Sequence, residues 1–320
     1  MSLSRVSQQY SSIALKLTKS PKVQALTLSF GVCFALHRLN RWLSWRKANN
    51  GVTSKVWDAT KEIAVVTGGS SGIGAEIVEL LEQSNIKIII LDVNPPAKKL
   101  GHRTAFYRID LCDPEAIANV ADRIRSEHGH PTVLVNNAGI ANGDTITSVT
   151  LEKLHRVFDV NLFAPFLLVK QFLPEMVAAD HGHIVNIASL ASFVVHASNV
   201  DYAASKAGLL ALHEGILQEL KHVYKARAVR CTIVHPTWVK TPLAEKELAT
   251  GNLGAHVTAH DVASAVVRQV TSGYGGQLIV PSGMGWISMM RGFPVWFQED
   301  FRDAGSQGLL QAFREARANK

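Results

Sequence analysis

Past residue 60, short apolar runs alternate with longer stretches of helical period. The strand candidates are Ile63–Thr67, Ile86–Leu91, Thr104–Asp110, Thr132–Asn136, His183–Ala188, Val229–His235 and Gln277–Pro281. Helical periodicity marks Ala75–Gln83, Pro114–Glu127, Leu151–Ala178, Asp201–Val223 and Asp261–Val270. Runs such as Ile86-Lys87-Ile88-Ile89-Ile90-Leu91 are apolar rather than alternating, which predicts strands covered on both faces. Seven strands with helices between them predict an α/β fold: a doubly wound, parallel, seven-stranded Rossmann-type sheet with helices on both faces.

The chain before this domain has a different pattern. Val23–Leu36 is an uncharged apolar run of 14 residues. As a helix it would be about 21 Å long, short of the roughly 20 residues that cross a hydrocarbon core upright, which predicts an anchor that either spans at a tilt or inserts from one side. Arg38, Arg41, Arg46 and Lys47 follow, with Trp42 and Trp45 among them, a mixture suited to lipid headgroups. A cleaved signal peptide and a helix packed on the catalytic body are competing readings, but no small-residue cleavage site follows the run. The division expected is a basic, apolar anchor at 1–47, a polar linker at 48–60, a catalytic domain at 61–282 and an aromatic-rich tail at 283–320. That tail carries Trp286, Met289, Met290, Phe293, Trp296, Phe297 and Phe301, read as core or dimer contact, or as a second lipid-facing surface.

Charge sharpens this division. The chain carries +7 overall, yet residues 1–61 hold ten Lys and Arg against the single acid Asp58, and the remainder is slightly acidic. A nucleic-acid-binding body would carry the excess itself, so no nucleic-acid partner is expected, and a membrane surface fits better. Cys33, Cys112 and Cys231 are few and scattered, which predicts neither a disulfide framework nor a metal site and suits a reducing compartment. With 47% hydrophobic and 18% charged residues, the chain has ample material for a globular core.

Candidate chemistry begins at the end of the first strand. Thr67-Gly68-Gly69-Ser70-Ser71-Gly72-Ile73-Gly74 leads straight into a helix. Glycines there let the backbone turn and approach a pyrophosphate, which the helix N-terminus would hold. The second strand ends at Asp92, 18 residues beyond Gly74, where an acid meets the adenosine ribose. A carboxylate accepts from ribose hydroxyls and repels a 2′-phosphate, so NAD(H) is expected over NADP(H). Lys98, Lys99 and Arg103 would offset it only from a folded-back loop. Further on, Tyr202 and Lys206 stand four apart on one predicted helix face. An ammonium beside a phenol favours the phenolate, which would let Tyr202 exchange a proton with a substrate oxygen near neutral pH.

These motifs resemble the short-chain dehydrogenase/reductase family over roughly residues 60–281. The glycine spacing from Thr67 to Gly74 is similar to the family's, Asn136-Asn137-Ala138-Gly139 matches its NNAG, and Tyr202-Ala203-Ala204-Ser205-Lys206 matches its YxxxK. The resemblance implies a catalytic tetrad of Asn161, Ser189, Tyr202 and Lys206. Ser189 would orient the substrate oxygen, Lys206 would also bind the nicotinamide ribose, and Asn161 would hold a proton-relaying water. It implies cofactor contacts at Gly68, Ser70, Ser71, Gly72, Ile73, Gly74, Asp92, Asp110, Leu111, Asn137, Ala138, Gly139, Tyr202, Lys206, Val239 and Thr241. Where the family has Pro-Gly after the sixth strand, this chain has His235-Pro236-Thr237, and Pro242–His256 is expected to form a substrate lid beside Trp238.

The basic N-terminus resembles the membrane-associated retinol and hydroxysteroid dehydrogenase branch. That implies a lipophilic substrate (steroid, retinoid, fatty alcohol or terpenoid), an endoplasmic-reticulum or lipid-droplet membrane, a cytosolic catalytic domain and a homodimer. The alternatives are an NADP-dependent carbonyl reductase of a biosynthetic pathway and a non-catalytic lipid-surface scaffold.

Overall fold

The computed structural model describes residues 20–53, 57–254 and 256–318. Arg5, Lys16, Lys19 and Lys55 of the basic segment lie outside the described residues. The chain divides into two compact units, Met1–Gly51 and Val52–Lys320. In the first, α1 (Pro21–Ala48) is a single helix of 28 residues with Pro at its start and Arg46 and Lys47 in its last turn. None of its residues is buried, and the Arg46 guanidinium lies 5.3 Å from the centre of the Trp42 ring.

The second unit holds the expected sheet. Its strands are β1 (Ile63–Thr67), β2 (Lys87–Asp92), β3 (Thr104–Arg108), β4 (Val133–Asn136), β5 (His183–Ile187), β6 (Arg230–Pro236) and, last, β9 (Gly276–Val280). They lie in the order β3-β2-β1-β4-β5-β6-β9, and all six pairings are parallel. A further pair, β7 (Trp238–Lys240) and β8 (His256–Thr258), forms a small separate sheet.

Alternate residues along each strand feed two cores, because successive side chains point to opposite faces. Val65, Ile89, Leu91, Leu134 and Ile184 enter one cluster, while Ala64, Val66, Ile88, Ile90 and Val135 enter the other. The first is covered by α3 (Pro114–His128), α5 (Ala164–Ala179) and α6 (Val200–His222). The second is covered by α2 (Gly72–Gln83), through Ile77, Val78 and Leu81, and by α8 (Ala259–Thr271). Caps set two of these starts. Asp113 accepts from the N–H groups of Glu115 and Ala116, and Thr258 and Asp261 close a reciprocal box.

Three departures bear on the site. The glycine-loop helix begins at Gly72, three residues before the expected start, so its first turn belongs to the loop itself. The expected single helix Leu151–Ala178 is α4 (Leu151–Phe158), a π-helical segment Asp159–Phe163, and α5. It is long and apolar enough to cross a membrane, but its buried residues pack in the core of the second unit. The expected lid loop carries a helix, α7 (Glu245–Ala249). Beyond β9, Ser282–Gly292 forms a 3-10 segment and α9 (Val295–Ala318) completes the unit.

Candidate active site

Strand order reverses between β1 and β4, where parallel sheets of this kind open a crevice beyond the strand ends. A cleft of about 240 Å³ lies there, lined by Gly68, Ser71, Gly72, Ile73, Asp92, Asp110, Leu111, Asn137, Ala138, Gly139 and Thr241 among others. Eleven of the residues singled out from the sequence thus share one cavity. The loop is built to be tight. Gly68 has φ +63, in the left-handed region that favours glycine. Thr67 Oγ1 accepts from the N–H groups of both Asn137 and Ala138, clamping the end of β1 to the end of β4. Asn137 Nδ2 returns two bonds, to Thr67 O at 2.9 Å and Gly68 O at 3.1 Å.

The residues fit a dinucleotide. A Cβ on Gly74 would stand 2.1 Å from Gly68 O, so the loop and the start of α2 are in contact that only glycine permits. Ser71, at the N-cap of α2, makes no side-chain bond to the helix, which leaves first-turn N–H groups free of that partner and suited to a pyrophosphate. Ser70 does not line the cleft. Its N–H donates to Asp92 Oδ2 at 3.0 Å, and Asn94 N–H donates to Asp92 Oδ1 at 3.0 Å, so the Asp92 carboxylate is fixed by two backbone donors. Lys98 pairs with Glu79 and Arg103 donates to Thr60 O, engaging two of the bases named above elsewhere. The base beside Asp92 is one the sequence reading passed over. Arg108 is its register partner on β3 and donates from Nε to Val93 O.

Beyond the end of β3, Asp110 accepts from Cys112 N–H, a bond that holds its carboxyl below the usual value. Arg156 stands 3.9 Å away and lines the same cleft. Arg156 was also missed. It arrives from α4, 46 residues later, with no local signal to link it.

A second cleft of about 360 Å³ adjoins the first, sharing Ile73, Asn137, Gly139 and Thr241. Ser189, Tyr202, Lys206, Trp238 and Val239 line it. Ser189 Oγ accepts from Ala191 N–H at 3.1 Å and hydrogen-bonds the Tyr202 hydroxyl. Burial raises the Tyr202 hydroxyl above its ordinary value, and the Ser189 bond acts the other way. Lys206 does not account for a lowering here. Its Nζ donates to Ile187 O at 2.9 Å and lies 5.7 Å from the Tyr202 ring centre. Burial also pulls the Lys206 ammonium down to about 8.

Asn161 does not line either cleft. It is wholly buried in the π segment, where Oδ1 accepts from Ile140 N–H while Nδ2 donates to Ile140 O and Ser205 Oγ. Both Asn161 Oδ1 and Lys206 Nζ come within 3.5 Å of where a Gly139 Cβ would stand. Asn161 therefore holds the segment after Gly139 against Lys206 from behind.

The far wall of the second cleft comes from the C-terminal segment: Met284, Ile287, Phe301 and Phe313. Phe193, Val194, Ile287 and Met290 form a third buried cluster, joined by Phe297 and Phe301. Trp286, Met289, Phe293, Val295 and Trp296 of the same segment remain exposed. The expected lid loop is fastened to α9, since Asn252 Nδ2 donates to Glu315 Oε2 at 2.9 Å.

Comparison with known proteins places this geometry. A family model described as short chain dehydrogenase matches residues 62–252. The chain is 40% identical over 220 residues to dehydrogenase RED2 of Cochliobolus heterostrophus, covering 68% of this chain and 82% of that protein. It is 33% identical over 193 residues to human epidermal retinol dehydrogenase 2, covering 58% and 62% respectively. Among solved structures it is similar to the ligand-free aldohexose dehydrogenase of Thermoplasma acidophilum, with a TM-score of 0.61 and 28% identity over 72% of this chain and 94% of that one.

Proposed function

The chain belongs to the short chain dehydrogenase family and interconverts an alcohol and its carbonyl with a nicotinamide cofactor, and we propose that it does so on a lipophilic substrate while attached to a membrane. The observation that carries the substrate class is the lining of the second cleft. Beside Ser189 and Tyr202 it presents Leu190, Val194, Trp238, Leu253, Ile287 and Phe313, a largely apolar wall that Asn142, His196, Asn199 and Glu247 interrupt. The similarity to a retinol dehydrogenase, whose name gives a lipophilic alcohol, points the same way.

The proposed chemistry follows from the tetrad. A bound nicotinamide would supply the hydride acceptor for a carbinol carbon in oxidation and the hydride donor for a carbonyl carbon in reduction. Ala191 N–H occupies a lone pair of Ser189 Oγ, so the Ser189 hydrogen is free to donate toward Tyr202 and a substrate oxygen beside it. Tyr202 exchanges the proton with that oxygen. Lys206, with further N–H donors beyond its bond to Ile187 O, holds the nicotinamide ribose. Asp92 favours NAD(H), and Arg108 is the group that would permit NADP(H).

Attachment is proposed through residues 1–47, with insertion from one side. The uncharged stretch of α1 is short, and Arg46 over Trp42 places charge and indole together at its end. An endoplasmic-reticulum or lipid-droplet surface with the catalytic unit in the cytosol fits this reading. A homodimer is proposed through α5 and α6, whose neighbourhood exposes Phe163, Phe166 and Val200.

The test is a screen of retinoid, steroid, fatty and short polar alcohols with both cofactors, followed by absorbance of the reduced nicotinamide. Lipophilic alcohols should be turned over with the higher kcat/KM. Tyr202→Phe should lower turnover by about 10²-fold or more while cofactor still binds. Preference for short polar alcohols, or near-normal turnover in Tyr202→Phe, refutes the reading.

A further inference from the structure

We infer that His235 and Gln277 form a hydrogen-bond relay behind the active site that positions Ser189, two residues acting through a third without touching the substrate. The inference rests on the role proposed for Ser189.

His235 is the penultimate residue of β6 and is wholly buried. A buried imidazole needs partners for both nitrogens. Nδ1 lies 3.1 Å from the Ser189 carbonyl oxygen, and Nε2 lies 3.2 Å from Gln277 Nε2. A carbonyl oxygen can only accept, so Nδ1 carries the proton. The neutral ring then presents a lone pair at Nε2, and the Gln277 amide donates into it. Gln277 sits on β9 in register with Ile233, a diagonal neighbour of His235 across the parallel pair. The Phe193 ring packs on the imidazole with centroids 4.6 Å apart. The ring is neutral at working pH, since burial, reinforced by the Lys206 charge and opposed by the Ser189 bond, brings it to about 4. His213, the other titratable neighbour, is likewise lowered to about 4, by burial and then by His235.

The target of the relay is held at both of its oxygens. Ser189 O accepts from Ser192 N–H at 3.0 Å as well as from His235. Ser189 Oγ accepts from Ala191 N–H and bonds Tyr202. Two donors on the carbonyl fix the Ser189 peptide plane, and that plane sets where Oγ stands. Without the His235 donor, the carbonyl keeps one anchor and the peptide can rotate. A displacement of about 1 Å at such a group costs on the order of 10²-fold in rate.

Two measurements on the full-length chain test this. Spectra of ¹⁵N-histidine-labelled protein at pH 7 should show His235 protonated at Nδ1, the resonance being assigned by its shift in Gln277→Leu, a change at an exposed residue. A ring protonated at Nε2 overturns the relay, whatever the activity. In the second, His235→Leu should lower kcat about tenfold or more for an alcohol the wild type oxidises, with the KM for the cofactor within twofold. His235→Asn, whose amide N–H can replace Nδ1, should recover most of the loss. Equal loss in Leu and Asn variants, or none in Leu, overturns the inference. If His235→Leu does not fold, Gln277→Leu takes its place, with a smaller fall in kcat expected and an unchanged kcat overturning the relay. Wild-type turnover in Ser189→Ala would instead show that the role given to Ser189 is wrong, while leaving the tautomer result standing.

Discussion

Gly74→Ala adds one methyl group where the glycine loop meets its helix, and two effects of opposite sign compete. Gly74 lies in the first turn of α2, so alanine gains about 1 kcal/mol of helix propensity. The new Cβ, however, would stand 2.1 Å from Gly68 O, 2.5 Å from Asn137 Nδ2 and 2.8 Å from Gly68 C. Backbone cannot yield cheaply, and overpacking of this kind costs roughly 1–3 kcal/mol. Displacing Asn137 also threatens its bonds to Thr67 O and Gly68 O, each about 1 kcal/mol. The clash prevails, and a net loss of about 2–4 kcal/mol is expected. Urea unfolding of the chain from Val52 onward should show a lower midpoint at unchanged slope, and fluorescence titration should show weakened cofactor binding. Asn137→Ala removes the two bonds without a clash and should cost about 2 kcal/mol. In the double variant the clash with Asn137 Nδ2 is absent, so its loss should fall short of the summed single losses. A Gly74→Ala protein as stable as wild type, or strict additivity with Asn137→Ala, would refute the close-contact argument.

Asp92→Ala should narrow the preference for NAD(H) about tenfold or more and weaken NAD(H) itself, because Ser70 and Asn94 lose their shared acceptor. Wild-type preference for NADP(H) in kcat/KM would contradict the repulsion argument and make Arg108 the residue to change next. Lys206 has its ammonium lowered to about 8 by burial, so its charge is lost as pH rises through that value. Cofactor affinity measured against pH should fall above about 8, and Lys206→Arg should remove that limb; a flat profile from pH 7 to 10 would sink the assignment. The same shift makes the unfolded chain, with its lysine near 10.5, the better proton binder between about 8 and 10.5, so this group raises stability with pH across that window. Full-length protein should pellet with membranes through high salt and need detergent for release, whereas a chain beginning at Val52 should be soluble, active and dimeric by light scattering. Release by salt alone would mean that α1 is not inserted, and a monomeric active truncation would remove the dimer.

Local pattern carried much of this protein. The apolar runs Ile88–Leu91 in β2 and Val133–Val135 in β4 pointed to a sheet covered on both faces, because burial on two sides leaves no polar alternation. Thr67 to Gly74 marked the tight glycine turn that opens α2, since close backbone approach needs glycine at set positions, and Tyr202 with Lys206 was legible because helix period places residues four apart on one face. The structure alone decided matters that depend on partners distant in sequence. The π segment that buries Asn161 is held by bonds to Ile140, 21 residues back, so helical periodicity through Leu151–Ala178 carried no sign of it. Arg108 comes level with Asp92 only through strand register, and Arg156 reaches Asp110 only through the packing of α4. Phe301 read only as a tail aromatic, and α9 brings it, with Phe313, to wall the second cleft. The tautomer of His235 depends on Ser189 and Gln277, residues 46 and 42 positions away. Period and spacing report the short-range constraints of backbone geometry, whereas a side chain's hydrogen-bond partner across the sheet is set by which strands become neighbours, and that is settled when the core closes.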